Sequence, residues 1–187
     1  YSILNFICLT FGLACAIVSV LYIFNAFSFD RFHKNYKRLY SVEAYVTYFN
    51  GDRFPKSYLS ASLADVLKVR APEIESITRV AGNESKFVYG DKSFTESGYY
   101  ADQNFFGVFT FPLIQSNEKV LADPDAIAIS ENMAIKFFGN VNCVGKTLQL
   151  KEGDKQQAFR VTGVFRKIPG QSTLQFDFVI PYERFLA

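Results

Sequence analysis

The chain has 187 residues, of which 49% are apolar and 17% aromatic, and its 20 basic residues nearly balance its 18 acidic ones. This near-neutral charge gives no sign of a nucleic-acid partner, and the aromatic content excludes intrinsic disorder. Because only 11 glycines and three cysteines are present, collagen-like repeats and a disulfide scaffold are also excluded.

The charges are unevenly distributed along the chain. Residues 1–29 carry none, and every charged residue lies after them. As one helix this segment would be roughly 43 Å long, more than the hydrocarbon core of a bilayer at about 30 Å. A cleaved signal peptide has a basic start and a shorter apolar stretch. We therefore expect residues 1–29 to form a retained transmembrane helix.

Small residues recur along one side of this predicted helix. They follow a spacing of three or four residues, at Cys8, Gly12, Ala16 and Ser19. In lipid, small residues let another helix approach closely, so the stripe predicts a packing face for further transmembrane helices. A lone anchor with incidental small residues is the alternative.

The segment that follows the span is basic. It holds Arg31, Lys34, Lys37 and Arg38 beside the single acid Asp30. Under the positive-inside rule, this local charge favours the cytoplasm for the flank and for the domain after it.

Residues 30–40 also have an apolar pattern of their own. Phe32, Tyr36, Leu39 and Tyr40 fall at helical spacing, without an intervening Gly or Pro. The pattern predicts an amphipathic stalk that continues the span and transmits its displacement. An anchor helix that ends near Asp30 is the alternative.

Residues 41–187 alternate between strand and helix patterns. Hairpin, capping and turn signals lie at Gly90-Asp91, Asp102, Ser130 and 152–154. The periodicity predicts strands over 40–49, 74–81, 85–89, 93–99, 146–151, 159–165 and 174–180, and helices near 59–70, 105–109 and 131–138. Many strands with few helices indicate an α+β domain rather than a doubly wound parallel sheet.

Catalytic motifs are not evident in the sequence. The segment from Gly139 to Thr147 is similar to a phosphate-binding loop, but five residues separate its glycines, a predicted helix precedes it and a predicted strand follows. His33 is the sole histidine, which argues against a histidine-dependent triad or a multi-histidine zinc site. We expect a non-catalytic chain with no cofactor or metal of its own.

Several stretches, in order along nearly the whole chain, resemble MacB-type ABC transporter permeases. The most specific is Asp30-Arg31-Phe32-His33-Lys34-Asn35, directly after the span. Further similar stretches are 102–113 (DQNFFGVFTFPL), 122–124, 128–131, 137–139, 144–148, 159–169 and 176–178.

The resemblance implies a helix in the bacterial inner membrane, with residues 41–187 as part of a periplasmic core domain. It overrides the orientation suggested by local charge. In such permeases, further transmembrane helices and an FtsX-like membrane domain follow, so we expect this chain to be a fragment or a truncated reading frame.

The resemblance also implies a mechanism, mechanotransmission. A separate cytoplasmic ATPase would use ATP and Mg, and a second permease copy and a periplasmic adaptor or cargo would be partners. The transmembrane helices would pass their movement to the periplasmic domain for export or extraction. A membrane-anchored binding or sensor domain without transport activity is the alternative.

Overall fold

A computed structural model describes residues 1–56, 58–153 and 155–186, and its architecture is α+β, as predicted. The α-helices are α1 (Ser2–Ser28), α2 (Leu63–Arg70), α3 (Phe105–Val108) and α4 (Glu131–Phe138), and short 3-10 helices cover Tyr36–Arg38 and Tyr182–Phe185. The strands are β1 (Ala44–Thr47), β2 (Arg53–Lys56), β3 (Val80–Tyr89), β4 (Lys92–Ala101), β5 (Leu113–Ser116), β6 (Ala126–Ser130), β7 (Thr147–Glu152), β8 (Lys155–Phe165) and β9 (Phe178–Pro181).

Helix α1 matches the predicted span closely. It has 27 residues, none of them buried, and is about 40 Å long at 1.5 Å per residue. Within the described residues, one helix is long and apolar enough to cross a membrane, and it is this one. The helix ends at Phe29, whose backbone is no longer helical (φ −59°, ψ 136°), and the next residue, Asp30, has a left-handed backbone with φ of +57°.

The main sheet closes on itself. Its strands follow the order β5-β8-β6-β9-β4-β3-β7, and β8 also pairs with β7. Six strands therefore form a closed ring, from which β5 extends as a seventh. The pairs β4–β9 and β6–β8 are parallel, whereas the other pairs are antiparallel. Strands β1 and β2 form a separate hairpin.

Helix α4 begins and ends where the sequence predicts. The Ser130 hydroxyl accepts a hydrogen bond from the Met133 amide at 3.0 Å, and Gly139 ends the helix with φ of +77°. Met133 and Phe137 are buried in one apolar cluster with residues of the ring strands. The predicted apolar face of this helix is thereby confirmed.

A second apolar cluster is rich in phenylalanine. It includes Phe105, Phe111, Phe165 and Phe176, and the Phe111 and Phe176 ring centres lie 5.0 Å apart in an edge-to-face contact. Phe32, four residues after α1, packs against this cluster. The chain that leaves the helix thus contacts the core of the domain.

Several predicted boundaries are wrong. Strand β3 begins at Val80 rather than at residue 74, β9 begins at Phe178 rather than 174, and the strand predicted over 40–49 is confined to Ala44–Thr47. Strands β2, β5 and β6 were not predicted. Residue 154 of the predicted turn lies outside the described residues.

Asp102 does not cap α3. Its carboxylate oxygen Oδ1 instead lies 2.7 Å from a guanidinium nitrogen of Arg79, and Asn104 occupies the N-cap position. The Asp102 carboxylate therefore pairs with Arg79, whereas the sequence predicts that it accepts hydrogen bonds from the first backbone amides of α3.

Candidate functional site: the junction between helix and domain

The end of α1 is attached to the domain by one carboxylate. Asp30 accepts hydrogen bonds from the Thr173 hydroxyl at 2.5 Å, the Thr173 amide at 3.0 Å and the Ser172 hydroxyl at 3.2 Å. The Asp30 amide donates to the Gln171 carbonyl at 2.8 Å. We call Asp30, Ser172 and Thr173 the clamp. It joins positions 142 and 143 residues apart.

A second contact follows three residues later. The His33 side chain is only 2% exposed, and its ring centre lies 4.0 Å from that of Phe32, 4.8 Å from Phe111 and 5.7 Å from Phe109. The adjacent Lys34 amide donates to the Thr110 hydroxyl at 3.0 Å. Two separate segments of the domain therefore hold the exit of the helix.

The clamp favours an ionised Asp30. Partial burial acts to raise the pKa of Asp30, but the hydrogen bonds from Thr173 and Ser172, with a smaller attraction to His33, outweigh it and lower that pKa below its usual value. The carboxylate is therefore charged at neutral pH, and its hydrogen bonds are charge-assisted.

His33 is held in its neutral form. Burial lowers the pKa of His33 and outweighs the attraction of Asp30 and the contact with the Phe109 backbone, both of which act to raise it. Its Nδ1 atom is buried without a hydrogen-bond partner among the described residues. His33 thus packs as an aromatic ring, although its neighbours in sequence are charged.

The predicted continuous stalk is wrong, and a helix ending near Asp30 is confirmed. Residues 30–35 form turns, and only Tyr36–Arg38 adopts a short 3-10 helix. Of the four predicted stalk residues, Phe32 packs on the phenylalanine cluster, whereas Tyr36 and Tyr40 are 41% and 86% exposed and Leu39 is half-buried. Their role in coupling stays a prediction.

Sequence reasoning missed the clamp. In the sequence, Asp30 is one acid in a basic flank, and its only distinction is to be the first charged residue after 29 uncharged ones. Ser172 and Thr173 lie in a loop with no signal that would pair them with a position so distant in sequence.

The predicted helix-packing stripe lies on one exposed side of α1. Cys8, Gly12, Ala16 and Ser19 are all exposed. Apart from its chain neighbours and the adjacent backbone of α1, no described atom lies within 4 Å of the position that a Cβ would take at Gly12, and the Ser19 hydroxyl donates to the Cys15 carbonyl of its own helix at 2.8 Å. The stripe stays a prediction about helices outside this chain.

Metal-ligand clusters and the cavity beside Asp102 bear on whether the described residues could form a binding site. Within them, no group of three or more His, Cys, Asp or Glu side chains is placed to hold a metal ion. A shallow cavity of about 250 Å³ lies beside Asp102 and Tyr182, but Asp102 is paired with Arg79, which also stacks 4.4 Å from the Tyr182 ring centre. These groups stabilise the fold.

Together, the fold and the junction define a class of protein, an α+β domain carried on an apolar N-terminal helix and tied to it by the clamp. The family described as the MacB-like periplasmic core domain matches residues 2–187. The chain belongs to this family, which confirms the resemblance to MacB-type permeases.

Solved structures share the fold. A domain of a protein assigned as a permease in Porphyromonas gingivalis is 27% identical, with a TM-score of 0.66 over 76% of this chain and 62% of that structure. The periplasmic region of MacB from Actinobacillus actinomycetemcomitans is 25% identical, with a TM-score of 0.56 over 69% of this chain and 57% of that structure.

A more distant structure supports the fold alone. The extracellular domain of the noncanonical ABC-type transporter YknZ from Gram-positive bacteria is 18% identical, with a TM-score of 0.54 over 68% of this chain and 64% of that structure. The chain thus spans about three fifths of each of these structures. No curated protein matches it.

Proposed function

We propose that this chain is part of the permease subunit of an ABC-type transporter. Residues 1–29 span the inner membrane and residues 41–187 belong to the periplasmic core domain. A cytoplasmic ATPase, on a separate chain or domain, uses ATP and Mg. A second permease copy completes the assembly, and a periplasmic adaptor or cargo contacts the domain. The family match and the MacB structure support this assignment.

The proposed mechanism depends on the clamp. Movement of α1 reaches the domain through Asp30 and its partners Ser172 and Thr173, rather than through a helical stalk. Residues 30–40 serve as a short connector whose first residue is fixed. Because its hydrogen bonds are charge-assisted and therefore strong, the clamp holds Asp30 to the loop of Ser172 and Thr173, and displacement of the helix end passes to the domain at that point.

The sensor alternative predicts different partners. An anchored binding domain would have no ATPase attached, whereas a permease subunit would co-purify with one. Purification of the intact protein from native membranes, followed by proteomics, separates the two functions. A cytoplasmic ABC ATPase is the expected partner, and a kinase or no ATPase would contradict the proposal.

Mechanical coupling has its own test. In the intact transporter, spin labels on the domains of two permease copies should report an ATP-dependent distance change. Asp30→Ala should reduce that change while ATP hydrolysis continues. Asp91→Ala, at an exposed hairpin turn, is the matched control and should retain the change. An undiminished distance change in Asp30→Ala would remove the clamp from the mechanism.

A further inference from the structure

The connector that follows α1 carries three cationic side chains that form no ion pair with the described part of the domain. Arg31, Lys34 and Lys37 are exposed, and within the described part of the chain their charged groups make no ion pair. Arg38 is different, because its guanidinium lies 3.0 Å from the Glu75 carboxylate. The nearest acid in sequence, Asp30, accepts a hydrogen bond from the Thr173 hydroxyl and forms no ion pair with these cations.

Aromatic side chains are interleaved with these cations. Phe29, Tyr36 and Tyr40 are 43%, 41% and 86% exposed, and the Lys37 ammonium lies 5.8 Å from the Tyr36 ring centre. Aromatic rings with one apolar and one polar edge favour the boundary between hydrocarbon and headgroups. Basic side chains beside them reach lipid phosphates.

The length of α1 places this segment at headgroup depth. A helix of 27 residues is about 40 Å long, close to the 40–45 Å of a bilayer with its headgroups. If α1 spans the membrane, Arg31, Lys34 and Lys37 lie shortly after its last residue, Ser28. The backbone turns over residues 30–35 and the 3-10 helix that follows keep the connector near that end.

We propose that Arg31, Lys34 and Lys37 form a binding surface for anionic phospholipid headgroups in the leaflet where α1 leaves the membrane. The inference rests on the proposed function, because it requires α1 to span the bilayer. Anionic lipid then holds the junction at headgroup depth, while α1 and the domain move together through the clamp. It also gives a reason for a basic flank on the side opposite to that favoured by the positive-inside rule.

Lipid selectivity tests this proposal. The intact protein is reconstituted into bilayers of phosphatidylcholine that contain either spin-labelled phosphatidylglycerol or spin-labelled phosphatidylcholine. Electron paramagnetic resonance then measures the lipid held at the protein. One cation near an anionic surface is worth about fivefold in affinity. We expect the protein to select phosphatidylglycerol by about that factor, and added salt to reduce the selection.

Two triple variants, each of which removes three positive charges, test whether these three residues form the lipid-binding surface. Replacement of Arg31, Lys34 and Lys37 with Gln should abolish the preference. The control replaces Lys86, Lys151 and Lys155, exposed on strands β3, β7 and β8, and should retain it. Equal binding of the two lipids by the unmodified protein, or loss of selection in the control alone, would overturn the inference.

The proposed function is judged by a separate observation in the same experiment. Insertion into bilayers of phosphatidylcholine alone, without lipid selection, overturns the headgroup surface and leaves the membrane-spanning permease intact. Failure to insert into either bilayer overturns both.

Discussion

At the residue scale, Asp30 has two roles. Its left-handed backbone, with φ of +57°, turns the chain just after α1 has ended at Phe29, and its carboxylate accepts three hydrogen bonds from Ser172 and Thr173. Asp tolerates this backbone region better than most residues do. One side chain therefore both redirects the chain and fastens it to the domain.

Asp30→Asn should loosen this junction. The amide keeps the shape of the side chain but loses the charge and one acceptor oxygen, and hydrogen bonds to charged groups are worth about 1.5–3 kcal/mol. Amide exchange at Thr173, measured by mass spectrometry, should accelerate about tenfold or more. The Asp91→Asn control should leave it unchanged. Equal protection in Asp30→Asn would show that the carboxylate does not hold the loop.

The clamp should also weaken in acid. The pKa of Asp30 is lowered in the folded protein. Its contribution to stability is therefore complete at pH values above the pKa of Asp in the unfolded chain, about 3.9, and is lost as the pH falls through the pKa of Asp30 in the folded protein. Protection of the Thr173 amide, corrected for intrinsic exchange, should therefore decline below about pH 4. In Asp30→Asn this decline in protection should be absent. A decline of equal size in that variant would show that a group other than Asp30 causes it.

His33 should titrate below the usual histidine range. Its ring is buried and burial lowers its pKa, so the folded protein resists protonation. The stability of the protein should decline as the pH falls below about 6.5, the pKa of histidine in the unfolded chain. It should level off below the pKa of His33 in the folded protein. Since His33 is the only histidine, one imidazole resonance in an NMR titration reports it. A midpoint at or above about 6.5 would contradict this burial effect.

At the element scale, the position of a flexible insertion separates the clamp from a helical stalk. Gly-Gly-Pro inserted after Ser28 lies before the clamp and should reduce ATP-dependent domain movement. The same insertion after Asn35 lies beyond Asp30 and His33 and should have little effect, whereas coupling through a continuous stalk would make both insertions damaging. The distance between the domains of two permease copies, with and without ATP, measures both variants.

Closure of the strand ring depends on Gly98 in β4. A Cβ there would lie 2.5 Å from the Phe178 carbonyl oxygen of β9, whereas one at Gly82 in β3 would meet its nearest described atom, in the Tyr99 ring, at 3.9 Å. Gly98→Ala should therefore cost about 1–3 kcal/mol through strain between paired strands. Gly82→Ala is the matched control. Thermal unfolding should show a lower Tm for the first variant only.

Local signals predicted local structure well. Ser130 and Gly139 marked the ends of α4, the uncharged run marked α1, and Gly90-Asp91 marked the β3–β4 hairpin, because each depends on neighbouring residues alone. The clamp, the Arg79–Asp102 pair and the ring closure join distant segments. Asp102 illustrates the limit, since its best partner is an arginine that precedes it by 23 residues rather than the adjacent helix.

At the scale of the whole molecule, the chain combines an apolar helix with a closed-ring domain of the MacB-like periplasmic core family. Its two parts meet at Asp30 and at the aromatic packing of His33. We propose that this junction makes the end of α1 and the domain move together when a partner ATPase acts.

The distance between α1 and its own domain tests that claim most directly. Spin labels at Phe24→Cys and Lys167→Cys, with Cys8 and Cys15 replaced by Ala and buried Cys143 retained, are measured by double electron–electron resonance in the intact transporter, diluted with unlabelled copies. We predict one narrow distance distribution that is the same with and without ATP, and a broad one in Asp30→Ala. A shift in the unmodified junction on ATP binding would show a hinge and contradict the account.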